Sequence, residues 1–507
     1  MKPVSSLPQL DVAIDGEALV AEDLAALSEV RVRGALSVPT QCELTFLNIP
    51  PSFGAGSAPS PGLGLEIQVR GADVPLFSGE ITALEFGYDP SGVRKLRMRG
   101  YDRLHRLRKR QPVRVHVQTT AAELARELVA DLGLDVVADE DGPLWRRIFQ
   151  HRQSDLDLLV EVTARCGLYL AMREDALHLI TLEGCGDKID LTLGEDLLEA
   201  RIEVNTDGTC RKVSARAWDT FRVEERNGET DSARSGRDVD AEASPELVGG
   251  TSDRSICNRT VQGNDHAKAL AQAELDSRVG GEVTLWGLAE GDPSLMPGSR
   301  VEIDGVDEAI AGTYVLTSVT HTINQLRGFT TEISSLPPSP PPPLERGLVG
   351  TLGIVSNISD PENLGRVQAA LPALGNLASD WMAVASAGAG SGKGLVMMPE
   401  VGDQVLVLAQ PDDLTQGIVI GGLHGLKVPP DWGIEAGSVK RFNLFTPGGN
   451  KLGFDDNNRS IRVQDATGSY LEMAPGKVLI HANTNLEIEA PGKALVIRAA
   501  TVDFERG

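Results

Sequence analysis

The run that comes nearest to ligand chemistry is Gly388-Ala389-Gly390-Ser391-Gly392-Lys393-Gly394, a glycine-rich stretch that could cradle phosphate. A phosphate-binding loop needs a Gly five residues before its Gly-Lys pair, a Ser or Thr after it to hold magnesium, and a strand-loop-helix setting. Here those positions hold Ala387 and Gly394, and the next run has strand character, so the stretch reads as a loop between strands. The five cysteines, Cys42, Cys166, Cys185, Cys210 and Cys257, are odd in number and include no close pair. They signal neither a disulfide framework nor a zinc knuckle, and read as small core residues of a cytosolic protein. No His-Glu-x-x-His helix, Gly-x-Ser-x-Gly elbow or Cys-His nucleophile arrangement is present, and the carboxylates are too dispersed to nominate a catalytic pair. His424 and His481 lack neighbours at ligand spacing. The expectation is a non-enzyme, with no catalytic, cofactor-binding or metal residue and no cofactor.

Composition narrows the class further. A chain of 507 residues with 41% hydrophobic content can bury several cores, about three domains by length. The 54 Gly and 29 Pro suit a β-rich protein with many turns, and 4% aromatics make its cores aliphatic. A formal charge of -24 argues against nucleic-acid binding, which needs clustered Lys and Arg to neutralise phosphates. The amino-terminal run has no apolar core of the signal-peptide kind, and no stretch of about eighteen apolar residues occurs. Synthesis and assembly in the cytoplasm are expected.

The elements that carry these residues follow from periodicity. From residue 9 to about 110 the chain alternates in period two, as at Asp11-Val12-Ala13-Ile14 and Leu65-Glu66-Ile67-Gln68-Val69, which predicts antiparallel strands with one buried face. The basic run Arg103 to Arg110 reads as a solvated face or a charge-protected strand edge. Thr120 with Glu123 makes a capping box before Leu124, Leu128 and Leu132, and a second helix starts near Ser154 or Asp155 and stops at Gly167. A hairpin from Leu168 to Leu182 follows, then strands interrupted by a polar stretch, Glu224 to Thr251, read as a long exposed loop, and one helix from His266 to Val279. Pro61-Gly62 with Gly79 to Leu84, and Pro297-Gly298 with Gly312 to Thr317, read as two copies of one barrel. Leu336 to Leu344 is an extended proline spacer. Near the end, Ala474-Pro475-Gly476-Lys477 is echoed sixteen residues later by Ala490-Pro491-Gly492-Lys493, which gives short strands at a period of about eight. Such strands cannot bury an apolar face alone, whereas three chains wound together close a prism.

Between these regions, Gly350 to Val355, Gly365 to Leu371, Trp381 to Ala385, Gly394 to Pro399 and Val405 to Leu408 predict a small closed β-barrel. Its ordered motifs are Asn363-Leu364-Gly365-Arg366-Val367, Trp381-Met382-Ala383-Val384-Ala385, Pro399-Glu400-Val401-Gly402-Asp403-Gln404-Val405-Leu406-Val407 and Ile418-Val419-Ile420-Gly421-Gly422-Leu423. Together they resemble the OB-fold module of the spike proteins of contractile injection systems, the VgrG-like family related to phage baseplate hub and spike proteins. Gln368, Ala370 and Gln404 depart from the charges common there. Pro297-Gly298-Ser299-Arg300-Val301 and Gly312 to His321 resemble the hub region of the same family, with His321 as a structural residue.

The resemblance implies a mainly β chain with a small α/β insert. Its parts are a first hub β-barrel at 1–115, the insert at 116–192, a second hub barrel at 193–336, a Pro-rich linker at 337–346, an OB-fold at 347–426, and a connector with a triple-stranded β-helix needle at 427–507. It also implies a homotrimer that joins a hexameric tail tube to a puncturing tip and pierces a target envelope on contraction. The implied partners are the inner tube protein and baseplate components at the hub, and a PAAR-like tip protein at the needle end. The alternative is a phage-type tail enzyme that degrades peptidoglycan, with the stretch after Glu224 forming part of its site.

Overall fold

The computed structural model describes residues 7–48, 50, 53, 59–90, 92–173, 175–219, 222–257, 261–339, 348–410 and 413–505, in two compact units that divide after Gly422. Most of the linker expected at 337–346 lies outside the described residues.

The first unit is built on one eleven-stranded sheet that runs through both barrels. Its first half contains β1 (Leu10–Ile14), β2 (Leu27–Ala35), β3 (Val38–Leu47), β4 (Gly64–Val69), β5 (Phe77–Tyr88) and β6 (Arg94–Tyr101). Alternation places Val30, Val32, Leu44, Phe46, Leu65, Ile67, Leu96 and Met98 in one aliphatic core, as period two requires. The basic run is a 3-10 helix, Arg103–Lys109, and not an edge. Its Leu104, His105 and Leu107 are buried while the cations face water. Asp102 caps it, accepting from the Leu104 N–H at 3.0 Å and the Thr40 N–H at 2.6 Å.

An α/β insert follows: β7 (Arg114–Thr119), α1 (Ala121–Val129), β8 (Asp135–Ala138), β9 (Trp145–Gln150), α2 (Asp155–Ala164), β10 (Tyr169–Arg173) and β11 (Ala176–Ile180). Both helices begin with reciprocal capping boxes, Thr120 with Glu123 and Ser154 with Asp157. They bury Leu124, Leu128, Leu156, Leu159 and Val162 in a common core.

The second barrel uses β12 (Cys185–Thr192), β13 (Leu197–Val204), β17 (Val283–Glu290), β18 (Ser299–Asp304), β19 (Gly312–Val315), β20 (Ser318–Asn324) and β21 (Gly328–Ser334). Between β13 and β17 lies a subdomain of β14 (Lys212–Asp219), β15 (Glu224–Thr230), β16 (Asp253–Cys257) and α3 (Asn264–Gly280). The polar stretch at 224–251 is therefore not a long exposed loop. Its first residues pair with β14 from Val213 to Asp219, and Gly228 lets the strand press on α3, since a Cβ there would lie 2.1 Å from the Lys268 nitrogen. Its low hydrophobicity reflects cations spent on ion pairs: Arg234 reaches Asp276 at 2.8 Å and Glu140 at 2.7 Å.

The two copies of the Pro-Gly motif form the same knot. Gly62 donates to the Ile81 carbonyl and Ile81 back to Leu63, while Gly298 donates to Leu316 and Leu316 back to Ser299. Both glycines have left-handed φ, +100° and +89°. The strands that follow pair alike, Ile67 opposite Phe77 and Ile303 opposite Gly312.

Next comes a closed barrel of β22 (Val349–Asn357), β23 (Arg366–Leu371), β24 (Met382–Val384), β25 (Gln404–Gln410) and β26 (Asp413–Leu423). Its sheet order is β22-β25-β26-β24-β23, and pairing of β22 with β23 closes it. The protein is thus mainly β, with an α/β insert and an OB-fold barrel.

The second unit, Leu423–Gly507, holds an antiparallel meander of β27 (Arg441–Phe445), β28 (Lys451–Asp455), β29 (Ser460–Gln464), β30 (Tyr470–Ala474) and β31 (Lys477–His481). Residues 482–505 are without regular secondary structure in the single chain, although the repeated Pro-Gly turns recur at Gly476 and Gly492 with φ of +85° and +65°.

Candidate functional site

The OB motifs become legible as geometry. Asp360 sits at the turn into β23 and accepts from the backbone N–H groups of Glu362, Leu364 and Arg366 at 3.1, 2.9 and 3.2 Å. The Arg366 guanidinium closes on the same carboxylate through Nε at 3.0 Å and Nη2 at 2.6 Å. Both residues are buried, and the Arg366 fork with the three amides holds the Asp360 carboxyl well below the usual range. The reversal needs left-handed backbone at Asn363 and Gly365, φ 55° and 70°, which accounts for Asn and Gly at those places. A second turn matches it: Glu400 donates to the Asp403 carboxylate at 2.9 Å, and Gly402 and Asp403 exchange backbone bonds with Val355 on β22.

The barrel is seated on the insert. Phe149 of β9 enters the OB core beside Val367, Leu371 and Val405. Arg147 lies 3.7 Å from the Asp380 carboxylate, and Gly375 closes on Val113 at a spacing that excludes a Cβ. On the other side of the insert, His266 packs against Trp145 with ring centroids 4.2 Å apart and the rings tilted by 34°, and Gln262 accepts from the backbone N–H of Arg146 at 2.8 Å. Strand β9 therefore ties the insert, the 205–280 subdomain and the OB barrel together. Sequence reasoning missed this, because Trp145 to Gln150 carries no periodic signal of its own.

The glycine-rich loop is closed on itself. Gly390 and Lys393 exchange both backbone bonds, at 3.1 and 3.2 Å, so those amides are not free to hold a phosphate. His321 lies inside the second barrel with Nδ1 3.0 Å from the Thr331 hydroxyl, and burial holds it down to about 4. His481 stacks on Tyr470, and His424 is exposed. All five cysteines are free thiols, Cys257 alone among them exposed. Among the described residues no three His, Cys, Asp or Glu side chains are grouped to hold a metal. The carboxylates after Glu224 face cations: Glu225 pairs with Arg216, Glu229 with Lys212 and Glu224 with Arg226.

The tail sheet carries the most consequential surface. Register places Phe442, Phe454, Ile461, Met473 and Val478 in one cross-strand row, and Leu444, Leu452, Val463, Leu471 and Ile480 in the next, all on one face. The opposite face carries Arg441, Asp455, Arg462, Glu472 and Lys477. None of the ten apolar side chains is buried in the single chain: Phe442, Val478 and Ile480 are 61%, 71% and 59% exposed.

Two family models match. The type VI secretion system/phage-baseplate injector OB domain covers residues 351–424, and the Alg8 N-terminal domain covers residues 52–325, more than half of the chain. The chain belongs to the Alg8 N-terminal domain family, and its OB barrel matches the injector OB domain, the module by which the sequence resembles VgrG-like proteins. No curated protein matches it. Among solved structures, the chain resembles the lidded Francisella PdpA-VgrG complex at 9% identity, covering 94% of this chain and 80% of that one with a TM-score of 0.55. It resembles the Escherichia coli c3393 protein, a type VI secretion component described as similar to the T4 tail proteins gp27 and gp5, at 12% identity, 82% and 99% coverage and a TM-score of 0.51. A 43 kDa tail protein of prophage MuSo2 from Shewanella oneidensis aligns at 14% identity over 64% of this chain and 97% of its own, with a TM-score of 0.50. At these identities the likeness is one of fold. The injector match falls on the Asp360–Arg366 turn and the barrel it closes, and the Alg8 match spans β4 to β6 of the first barrel, the insert and most of the second barrel.

Proposed function

We propose that this structural baseplate and spike protein works as a homotrimer. In this reading it joins the hexameric tail tube to a needle and pierces a target envelope when the sheath contracts. The observation that carries the reading is the uncovered apolar face of β27 to β31. An amphipathic sheet with one bare apolar face is a single wall of a core, and three copies facing inward supply the other walls. The repeated hub barrels support tube joining: two similar barrels per chain offer six similar units in a trimer. We read residues 1–115, 116–192, 193–336, 337–346, 347–426 and 427–507 as the working divisions, with the last forming a triple-stranded β-helix. Tube protein and baseplate components would meet the hub, and a PAAR-like tip would cap residues 498–507, whose Val502 and Phe504 are exposed. Assembly is expected in the cytoplasm, with delivery outward on firing.

Light scattering of the purified chain tests the reading and should give three chain masses. A folded, soluble monomer would overturn it. A tip protein should be captured by the full chain and lost on deletion of residues 498–507; equal capture would remove the tip from the scheme. Peptidoglycan turbidity and dye-release assays should stay at background, and activity abolished by one carboxylate substitution would establish the enzymatic alternative.

A further inference from the structure

In a chain with 48 cations against 72 acids, residues 94–109 hold eight cations and a single acid, Asp102. Asp102 is buried and spent on capping the 3-10 helix, so it offsets nothing at the surface. The cations lie on two adjoining elements. Strand β6 turns Leu96 and Met98 into the barrel core, which sends Lys95, Arg97, Arg99 and Tyr101 to the opposite face. The helix has three residues per turn, so its side chains fall in three lines. Leu104 and Leu107 enter the core of the insert, His105 and Arg108 lie against Tyr101, and Arg103, Arg106 and Lys109 are exposed.

Pairing joins the helix to the polar face of the sheet. Arg33, Gln41, Tyr101 and Glu80 form one cross-strand row, and Arg31, Glu43 and Arg99 form the next. The Arg108 guanidinium lies 5.4 Å over the Tyr101 ring, and Arg106 is ion-paired with Glu80. Rows and helix therefore make one surface. On it Arg31, Arg33, Arg103 and Lys109 are exposed and have no ion pair among the described residues. The acids Glu43, Glu80 and Glu85 are each engaged already: Arg97 lies 3.1 Å from Glu43 and 3.4 Å from Glu85, and Arg106 holds Glu80. A merely solvated run would be a flexible fringe. Here the Tyr101 ring and Glu80 hold two of the guanidinium groups in place, so less freedom is lost when a ligand binds.

We infer that this face docks an extended, carboxylate-rich segment of a partner polypeptide. Alternate residues of a strand are about 6.6 Å apart, the interval that separates Arg31 from Arg33 and Arg97 from Arg99, and equally the interval between acids at every second position of an extended segment. Guanidinium groups take carboxylates through two parallel hydrogen bonds, which suits arginines fixed on strands. Glu43, between Arg31 and Arg99, favours a polypeptide over a nucleic acid. A phosphate chain carries charge at every unit and meets Glu43 wherever it crosses, whereas a polypeptide can set a neutral side chain there. The surplus acids elsewhere in the chain do not cancel the attraction, because charges farther away than about 10 Å are largely screened at 0.1 M salt. The surface is complete in one chain and does not depend on the homotrimer.

The test is a fluorescence-anisotropy titration of the full-length chain with a labelled peptide of alternating Glu and Ser. At about 0.1 M salt it should bind on the order of tenfold tighter than the same peptide with Gln in place of Glu, and the preference should vanish near 0.4 M. Arg103→Glu with Lys109→Glu should weaken binding on the order of tenfold. Arg31→Glu with Arg33→Glu, on the sheet, should do the same, which keeps the test decisive if the helix pair fails to fold. Arg222→Glu, exposed in the turn after β14, is the control and should bind like the parent. Unchanged binding in both double variants, equal binding of the Gln peptide, or tighter binding of an oligothymidylate of matched length overturns the inference. So does loss of assembly by light scattering in a double variant that is folded by circular dichroism, since the face is then a contact between copies of the chain.

Discussion

Replacing Ile480 by Ser tests the apolar face of the tail where it is most open. Ile480 stands opposite Leu471 in the inner row and is 59% exposed in one chain. Full burial of such a side chain is worth about 1.5–3 kcal/mol, so covering the remaining surface on assembly contributes roughly 1–2 kcal/mol per chain. Because the change enters three times, Ile480→Ser should cost the trimer about 3–5 kcal/mol, which raises its dissociation constant by roughly two to four powers of ten. The effect on the isolated chain is smaller, since less than half of the side chain is covered there. Sedimentation velocity over a dilution series reads this directly, with the parent remaining trimeric at concentrations where the variant has fallen apart. Lys477→Ser, three residues away on the opposite face, is the matched control and should dissociate like the parent. If Ile480→Ser and the parent dissociate at the same concentration, the face is not the assembly surface and the reasoning fails.

Arg366→Lys should keep the charge but lose the two-pronged grip on Asp360, costing the OB barrel about 2–3 kcal/mol in chemical denaturation, with an unchanged Tm counting against it. Asp360 is depressed in the fold, so its stabilisation is full above its unfolded value of about 3.9 and is lost as pH falls through the lowered one. An acid transition should therefore move to higher pH in Arg366→Lys. Asp102 has the opposite sign: burial pushes it from 3.8 up to about 6, so hub stability should fall as pH rises from about 4 through 6, by about 3 kcal/mol, and Asp102→Asn should flatten that slope. Phe149→Ala should open the seat of the OB barrel at a cost of about 3–5 kcal/mol, seen as faster amide exchange at Ala369 and Leu371.

The closed OB barrel and the Pro-Gly knots were readable from sequence because each depends on glycine or on alternation at fixed spacing, signals that survive in a single chain. Gly62, Gly298 and Gly365 all occupy left-handed backbone that other residues resist. The Arg103 to Arg110 run presents the solvated face that its charge announced, but its helical form and buried side went unread, although Leu104 and Leu107 recur at the three-residue interval of a tight helix. The stretch from Glu224 to Thr251 was misread as a loop for a related reason. Its strand lies on the outside of a small sheet, and its arginines are held by Asp276, Glu282 and Glu140 from segments distant in sequence, which no local pattern reports. The role of β9 had no such signal, since Arg147 and Phe149 meet the OB barrel more than two hundred residues further along.

Averaged electron micrographs of the purified full-length chain test the central claim most directly. A threefold particle is expected, with six similar lobes at the hub and a tapering trimeric needle. A folded monomer, or a twofold dimer with the tail sheets still bare, would contradict it.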